Sequence, residues 1–102
     1  MKVNEHDTFA SPVELVVEGQ GAEAWSLSVQ VPTSELPRFG ELLERREPVV
    51  LSFHRREVTR IGPGVDPSAV DRFSGPAVLE AFPHTPAGGS ARFRGTGPLK
   101  AA

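Results

Sequence analysis

Three histidines, a cluster of arginines and scattered serines are the side chains of this 102-residue chain equipped for chemistry, and their spacing decides what kind. His6, His54 and His84 never fall four apart around a glutamate, and the chain has no cysteine. A zinc site needs three or four converging His, Cys or carboxylate ligands, so no local metal motif is present. We read His54 as the end of a strand and His84 as a turn residue between Pro83 and Thr85, both at the surface. A serine nucleophile announces itself locally by a Gly-x-Ser-x-Gly elbow. Ser74 precedes Gly75 but follows Phe73, with no glycine two positions before it. "RIGPGVDPS" puts proline where a phosphate-binding loop would present free backbone amides, so it reads as a turn. The expectation is a protein that is not an enzyme, with no metal and no cofactor.

The arginines are more suggestive. Arg55, Arg56 and Arg60 lie close together, and guanidinium forks suit phosphate oxygens bidentately, which makes them a candidate anion site. Arg56-Glu-Val-Thr-Arg60 followed by "DPSAVD" resembles the Arg-x-x-x-Arg and Asp-x-Ser-x-x-Gly pattern of the PilZ family, a resemblance that implies a small β-barrel binding a cyclic dinucleotide. Asp71 stands where that pattern has glycine, and the spacing between the two halves is shorter than PilZ barrels use. Glu44, Glu47 and Glu57 are near enough in sequence to neutralise the cluster as a solvated surface network.

The frame that must hold these residues is β-rich. Hydrophobic residues make up 38% of the chain and charged residues 24%, the composition of a globular domain, and ten glycines with ten prolines fit short strands joined by turns. "SPVELVVEG" alternates, with Val13, Leu15 and Val17 on one side. "AWSLSVQVP" alternates more cleanly, with Trp25, Leu27, Val29 and Val31 opposite Ser26, Ser28 and Gln30, and "GQGAE" between the two runs predicts a hairpin. In "TSELPRFGELLERRE" the period changes. Leu36, Phe39, Leu42 and Leu43 form one stripe of a helix of about ten residues, with Thr33 or Ser34 as cap and Pro37 in the first turn. "PVVLSFHRREVTRIG" predicts a bent strand or two strands with Val49, Leu51 and Phe53 inward, and Val58 and Ile61 at a second packing site. Asp66 is placed to cap a short helical turn through Val70. "SGPAVLEAFP", with Val78 inward, and "SARFRGTGPL", with Phe93 inward, are the last two strands. The sum is one domain over residues 1–102, a mainly β fold, an antiparallel β-barrel or sandwich with one packed α-helix.

From Trp25 onward the order of elements resembles the C-terminal part of siphophage major tail proteins, the tail-tube subunits. "WSLSVQV", the helix and strand of "ELPRFGELLERREPVVLSF", "FSGPAVLEAF", "TPAGG" and the closing "ARFRGTGPL" carry the resemblance. It implies a structural protein that assembles with copies of itself and with other tail proteins, synthesised in the cytoplasm and ending in a virion tail. The matching assembly strand here is Arg92, Phe93, Arg94, Gly95 and Gly97. A strand at the end of a chain is a natural edge, and an unshielded edge can join a neighbouring subunit.

Charge excludes more than it names. The net charge is −2, without the concentrated basic footprint of a nucleic-acid or anionic-membrane binder. Its distribution is uneven: residues 1–24 hold Glu5, Asp7, Glu14, Glu18 and Glu23 against Lys2, whereas residues 88–102 hold Arg92, Arg94 and Lys100 and no acid. In a tube the two ends would meet between subunits or between stacked rings, and an ordinary monomer would bury or screen the same asymmetry. The alternative to assembly is a small monomeric barrel that binds an anionic ligand through Arg55, Arg56 and Arg60, or a protein partner.

Overall fold

The computed structural model describes residues 1–18, 24–62 and 71–101. Ten strands and one α-helix occur among them: β1 Lys2–Val3, β2 His6–Asp7, β3 Ser11–Glu18, β4 Ala24–Val31, α1 Leu36–Arg45, β5 Val49–His54, β6 Arg60–Ile61, β7 Arg72–Ala81, β8 His84–Thr85, β9 Gly88–Gly95 and β10 Lys100–Ala101. They form a single sheet in the order β2-β1-β5-β7-β9-β4-β3-β6, with β8 on β9 and β10 on β7. Every pairing is antiparallel except that of β3 with β6. The sheet curls into a half-barrel with α1 laid on β7 and β9, so the fold is mainly β with one packed helix. No helix of the described residues is long and apolar enough to cross a membrane. The predicted cap at Asp66 and the turn residues "GQGAE" lie outside the described residues, although β3 and β4 do pair as adjacent antiparallel strands.

The inner face follows from alternation. Trp25, Leu27, Val29 and Val31 are buried along β4, and register places Leu27 between Leu15 of β3 and Phe93 of β9. Val49, Leu51 and Phe53 of β5 are buried as well, and the Phe53 and Phe73 rings lie 5.5 Å apart across the β5–β7 pair. A strand side chain has period two, so one inserted residue exchanges the faces. That happens in β3. A bulge between Pro12 and Glu14 lets Pro12 oppose Val29 from inside and leaves Val13 half-buried, correcting its predicted core position. Val78 is also corrected: Phe73, Gly75, Ala77 and Leu79 set the inward phase of β7, and Val78 lies on the outer face opposite Arg94.

The helix closes the inner face with one side chain. Phe39 is 0% exposed, its ring centroid 5.9 Å from that of Phe82 and 6.0 Å from that of Phe93. Leu36, Leu42 and Leu43 pack around it, partly buried. No side chain caps the first turn, contrary to the expectation for Thr33 or Ser34. A 3₁₀ turn over Thr33–Glu35 leads into the helix instead, and Thr33 Oγ1 donates to the Ala87 carbonyl, 3.2 Å away. Glu35, the residue before α1, is buried, with its carboxylate 3.6 Å from Arg38 Nη1. An acid at a helix N-terminus is favoured by the helix dipole, which helps offset its desolvation. Arg46 ends the helix in the left-handed region, φ 50°, with its N–H donating to Leu42 O.

An added Cβ at Gly40 would meet no atom within 4 Å. Alanine there gains helix propensity without a clash, so Gly40→Ala is expected to stabilise the domain by about 0.5–1 kcal/mol. Urea denaturation at unchanged m-value measures this; a loss of stability would mean the helix is seated more tightly than its surroundings indicate.

Candidate functional site

The two residue sets singled out by sequence land in different settings. Arg55 and Arg56 belong to a 3₁₀ turn over Arg55–Glu57, and Arg60 stands in β6. Parallel pairing sets Arg60 beside Glu14, with 3.6 Å between guanidinium and carboxylate. Glu57 folds back so that Oε2 accepts the His54 N–H at 3.0 Å, and its other oxygen lies 3.7 Å from the N-terminal ammonium. The Arg55 N–H donates to Asp71 O, which fixes the turn against the start of β7. Positions 66–70, most of the second half of the PilZ-like pattern, lie outside the described residues.

The closing strand is not an edge. β9 pairs with β4 on one side and β7 on the other, so its backbone hydrogen bonds are satisfied within the sheet. Chain order suggests an edge, but the last long strand is inserted between two earlier ones. Phe93 is fully buried, as its alternation indicates, and Arg92 and Arg94 point to the outer face. Gly95 and Gly97 have a packing role. The indole of Trp25, itself 3% exposed, lies against the Gly95 backbone so closely that a Cβ there would overlap its five-membered ring. Trp25 Nε1 donates to Gly97 O at 2.8 Å, and the Thr96 N–H donates to Pro76 O at 2.9 Å. Leu99 is buried, and β10 then pairs with β7 at Ser74 and Phe73. "GTGPL" is therefore a strap drawn over the indole.

A surface that sequence did not single out lies where β3 begins and the β8–β9 hairpin ends. Phe9 is 79% exposed, and beside it opens a groove of about 740 Å³. Pro32, Pro83 and Ala87 supply apolar wall, and Gln30, Ser90 and His84 supply polar groups. No Asp, Glu, Lys or Arg lines it, in a chain of which 24% is charged. His84 is stacked on Phe82, centroids 4.7 Å apart, and its Nδ1–H donates to Phe82 O at 3.0 Å. In the neutral ring that bond assigns the proton to Nδ1 and leaves Nε2 as an acceptor. The groove thus offers an aromatic face, a hydrogen-bond acceptor and amide and hydroxyl groups, which suits an uncharged ligand surface. The one sequence signal for it is a phenylalanine at position 9 that belongs to no alternating run.

The other histidines stand apart from this groove. His6 is exposed in β2, and His54 Nε2 lies 3.0 Å from Arg72 Nη2. Among the described residues no group of three or more His, Asp or Glu is placed to hold a metal ion. No known protein family, no curated protein and no solved structure matches this chain.

The strap makes a measurable claim. Gly95→Ala forces the new methyl into the indole and should cost about 1–3 kcal/mol, the usual range for overpacking. Trp25→Phe removes the donor to Gly97 O and should cost about 1–3 kcal/mol. The smaller ring should make room for the new methyl, so the double variant is expected to be less destabilised than the sum of the singles. Additivity in a double-mutant denaturation cycle would show that the two positions do not touch.

Proposed function

We propose that this protein is a structural interaction domain that works by binding another protein surface and not by transforming a small molecule. The observation that carries the reading is the exposed Phe9 beside a charge-free groove. An exposed apolar side chain beside a concave surface recovers hydrophobic free energy when a complex buries it. The partner's segment should be uncharged, because an unpaired charge placed in a groove without countercharge loses hydration and gains nothing. The resemblance to tail-tube subunits supplies the setting: a structural subunit of a phage or prophage tail whose partners are its own copies or other tail proteins. With β9 enclosed, such assembly would use surfaces of this kind in place of a free terminal edge. The anion-site alternative would require Arg60 to share or exchange its loose pair with Glu14.

A photo-crosslinking residue at position 9 tests this in cells of the native host. The control carries it at position 50, where Val50 is the other exposed large hydrophobic residue among the described residues, at 47%. One discrete adduct from position 9 and none from position 50 is expected. An adduct mass in multiples of 11.0 kDa identifies copies of this chain, and any other discrete mass identifies a different protein. No adduct, or the same smear from both positions, overturns the proposal.

A further inference from the structure

The outer face of the sheet carries a charge pattern with a symmetry of its own. Register aligns Arg60 of β6, Glu14 of β3, Ser28 of β4 and Arg92 of β9 in one row, and Glu80 at the β7 bulge lies next to Arg92. Read across the strands, the row is plus, minus, neutral, plus, minus. Reversed, it becomes minus, plus, neutral, minus, plus, which is its own complement position by position. A two-fold axis running along β4 performs that reversal, because it keeps row heights and exchanges left with right. Arg60 then faces Glu80 of the second copy, Glu14 faces its Arg92, and Ser28 faces Ser28. We infer that this chain forms a two-fold symmetric dimer through the outer face of β3, β4 and β9, with β4 at the axis.

Two further observations agree with it. The ion pairs inside one chain are loose: Arg60 to Glu14 is 3.6 Å, and Arg92 to Glu80 is 3.8 Å. All four side chains are at least 40% exposed, so each has room for a second counter-ion. Arg94 and Glu18 have no ion pair among the described residues; the same axis sets Arg94 opposite Val16 of the second copy, one row away from its Glu18. Shape fits as well. The outer face of a curled sheet is convex, so two such faces touch at the centre and diverge at the flanks. Small Ser26 and Ser28 sit at the centre, and long Arg and Glu side chains fill the widening gap. Aligned sheets pack about 10 Å apart with their strands within about 30°, which a slightly tilted axis accommodates.

Sedimentation at low ionic strength tests the dimer by charge exchange. Wild type is expected to dimerise with rising concentration, and the dissociation constant should weaken at least about tenfold between about 20 mM and about 500 mM salt. Glu14→Arg alone places two like-charge contacts across the axis, as does Arg92→Glu alone, so each should be monomeric while keeping the wild-type circular dichroism spectrum. Mixed in equal amounts, the two variants restore every contact to opposite sign and should form a heterodimer. The double variant Glu14→Arg/Arg92→Glu should self-associate again. A wild type that stays monomeric to millimolar concentration, single variants that dimerise like wild type, or a mixture that fails to associate would each overturn the inference. The result is independent of the groove: a heterodimer from the mixture with no adduct from position 9 would leave this dimer standing and remove the docking surface.

Discussion

A curled sheet has one face to hide, and this chain has a ten-residue helix to hide it with. The solution is to concentrate burial in a few aromatic contacts. Phe39 is driven between Phe82 and Phe93, so one helical residue plugs the gap between the hairpin segment after β7 and the middle of β9. Such rings bury large areas and prefer tilted or edge-on contacts, as both of these are. Trp25 fills the space near the other end of β9, held down by a strap in which Gly95 leaves the indole room and the Gly97 carbonyl accepts its N–H. The enclosure of β9 follows from these anchors: a strand that carries Phe93 to the helix and Gly95 to the indole must run through the middle of the sheet.

Legibility in the sequence tracks how local each determinant is. The Trp25 strand and the Phe39 stripe are readable because period alone fixes which side chains share a face. Val13 and Val78 are misplaced by that rule because phase is set by a bulge and by where a strand starts, and neither leaves a mark in hydrophobicity. The missing helix cap has a similar cause, since a 3₁₀ turn held by a distant carbonyl at Ala87 replaces the expected local bond. Strand neighbours are least legible. Alternation says that Phe93 points inward, but nothing in "ARFRGTGPL" says that β4 and β7 flank it. The groove is hidden for the same reason: Phe9 acquires meaning only when the β8–β9 hairpin is folded beside it.

The sheet's own edges limit how it can meet other molecules. β2 and β6, the ends of the strand order, have two residues each. Short edge strands are a recognised way to deny a template to passing chains. Here β6 pairs with β3 at Glu14 and Leu15, and the Thr59 and Gly62 N–H groups take up the Val13 and Leu15 carbonyls. Binding through faces therefore suits this architecture better than strand addition. The acidic and basic ends of the chain, which sequence leaves free to meet anywhere, flank β4 within one sheet.

The two candidate surfaces are connected by register. Ser11, Gln30 and Ser90 form the row next to Glu14, Ser28 and Arg92 on the outer face, and those three also border the groove. The charged rows thus give way to the uncharged groove along the strand direction. A two-fold axis parallel to β4 preserves that direction, so both copies in such a dimer would present their Phe9 grooves at the same end. An axis perpendicular to the strands would send them to opposite ends. Two weak sites facing one way act as a bivalent clamp on a partner with repeated segments, because engaging the first site raises the effective concentration at the second. A small domain with little apolar area to spare would gain grip by pairing without enlarging either contact.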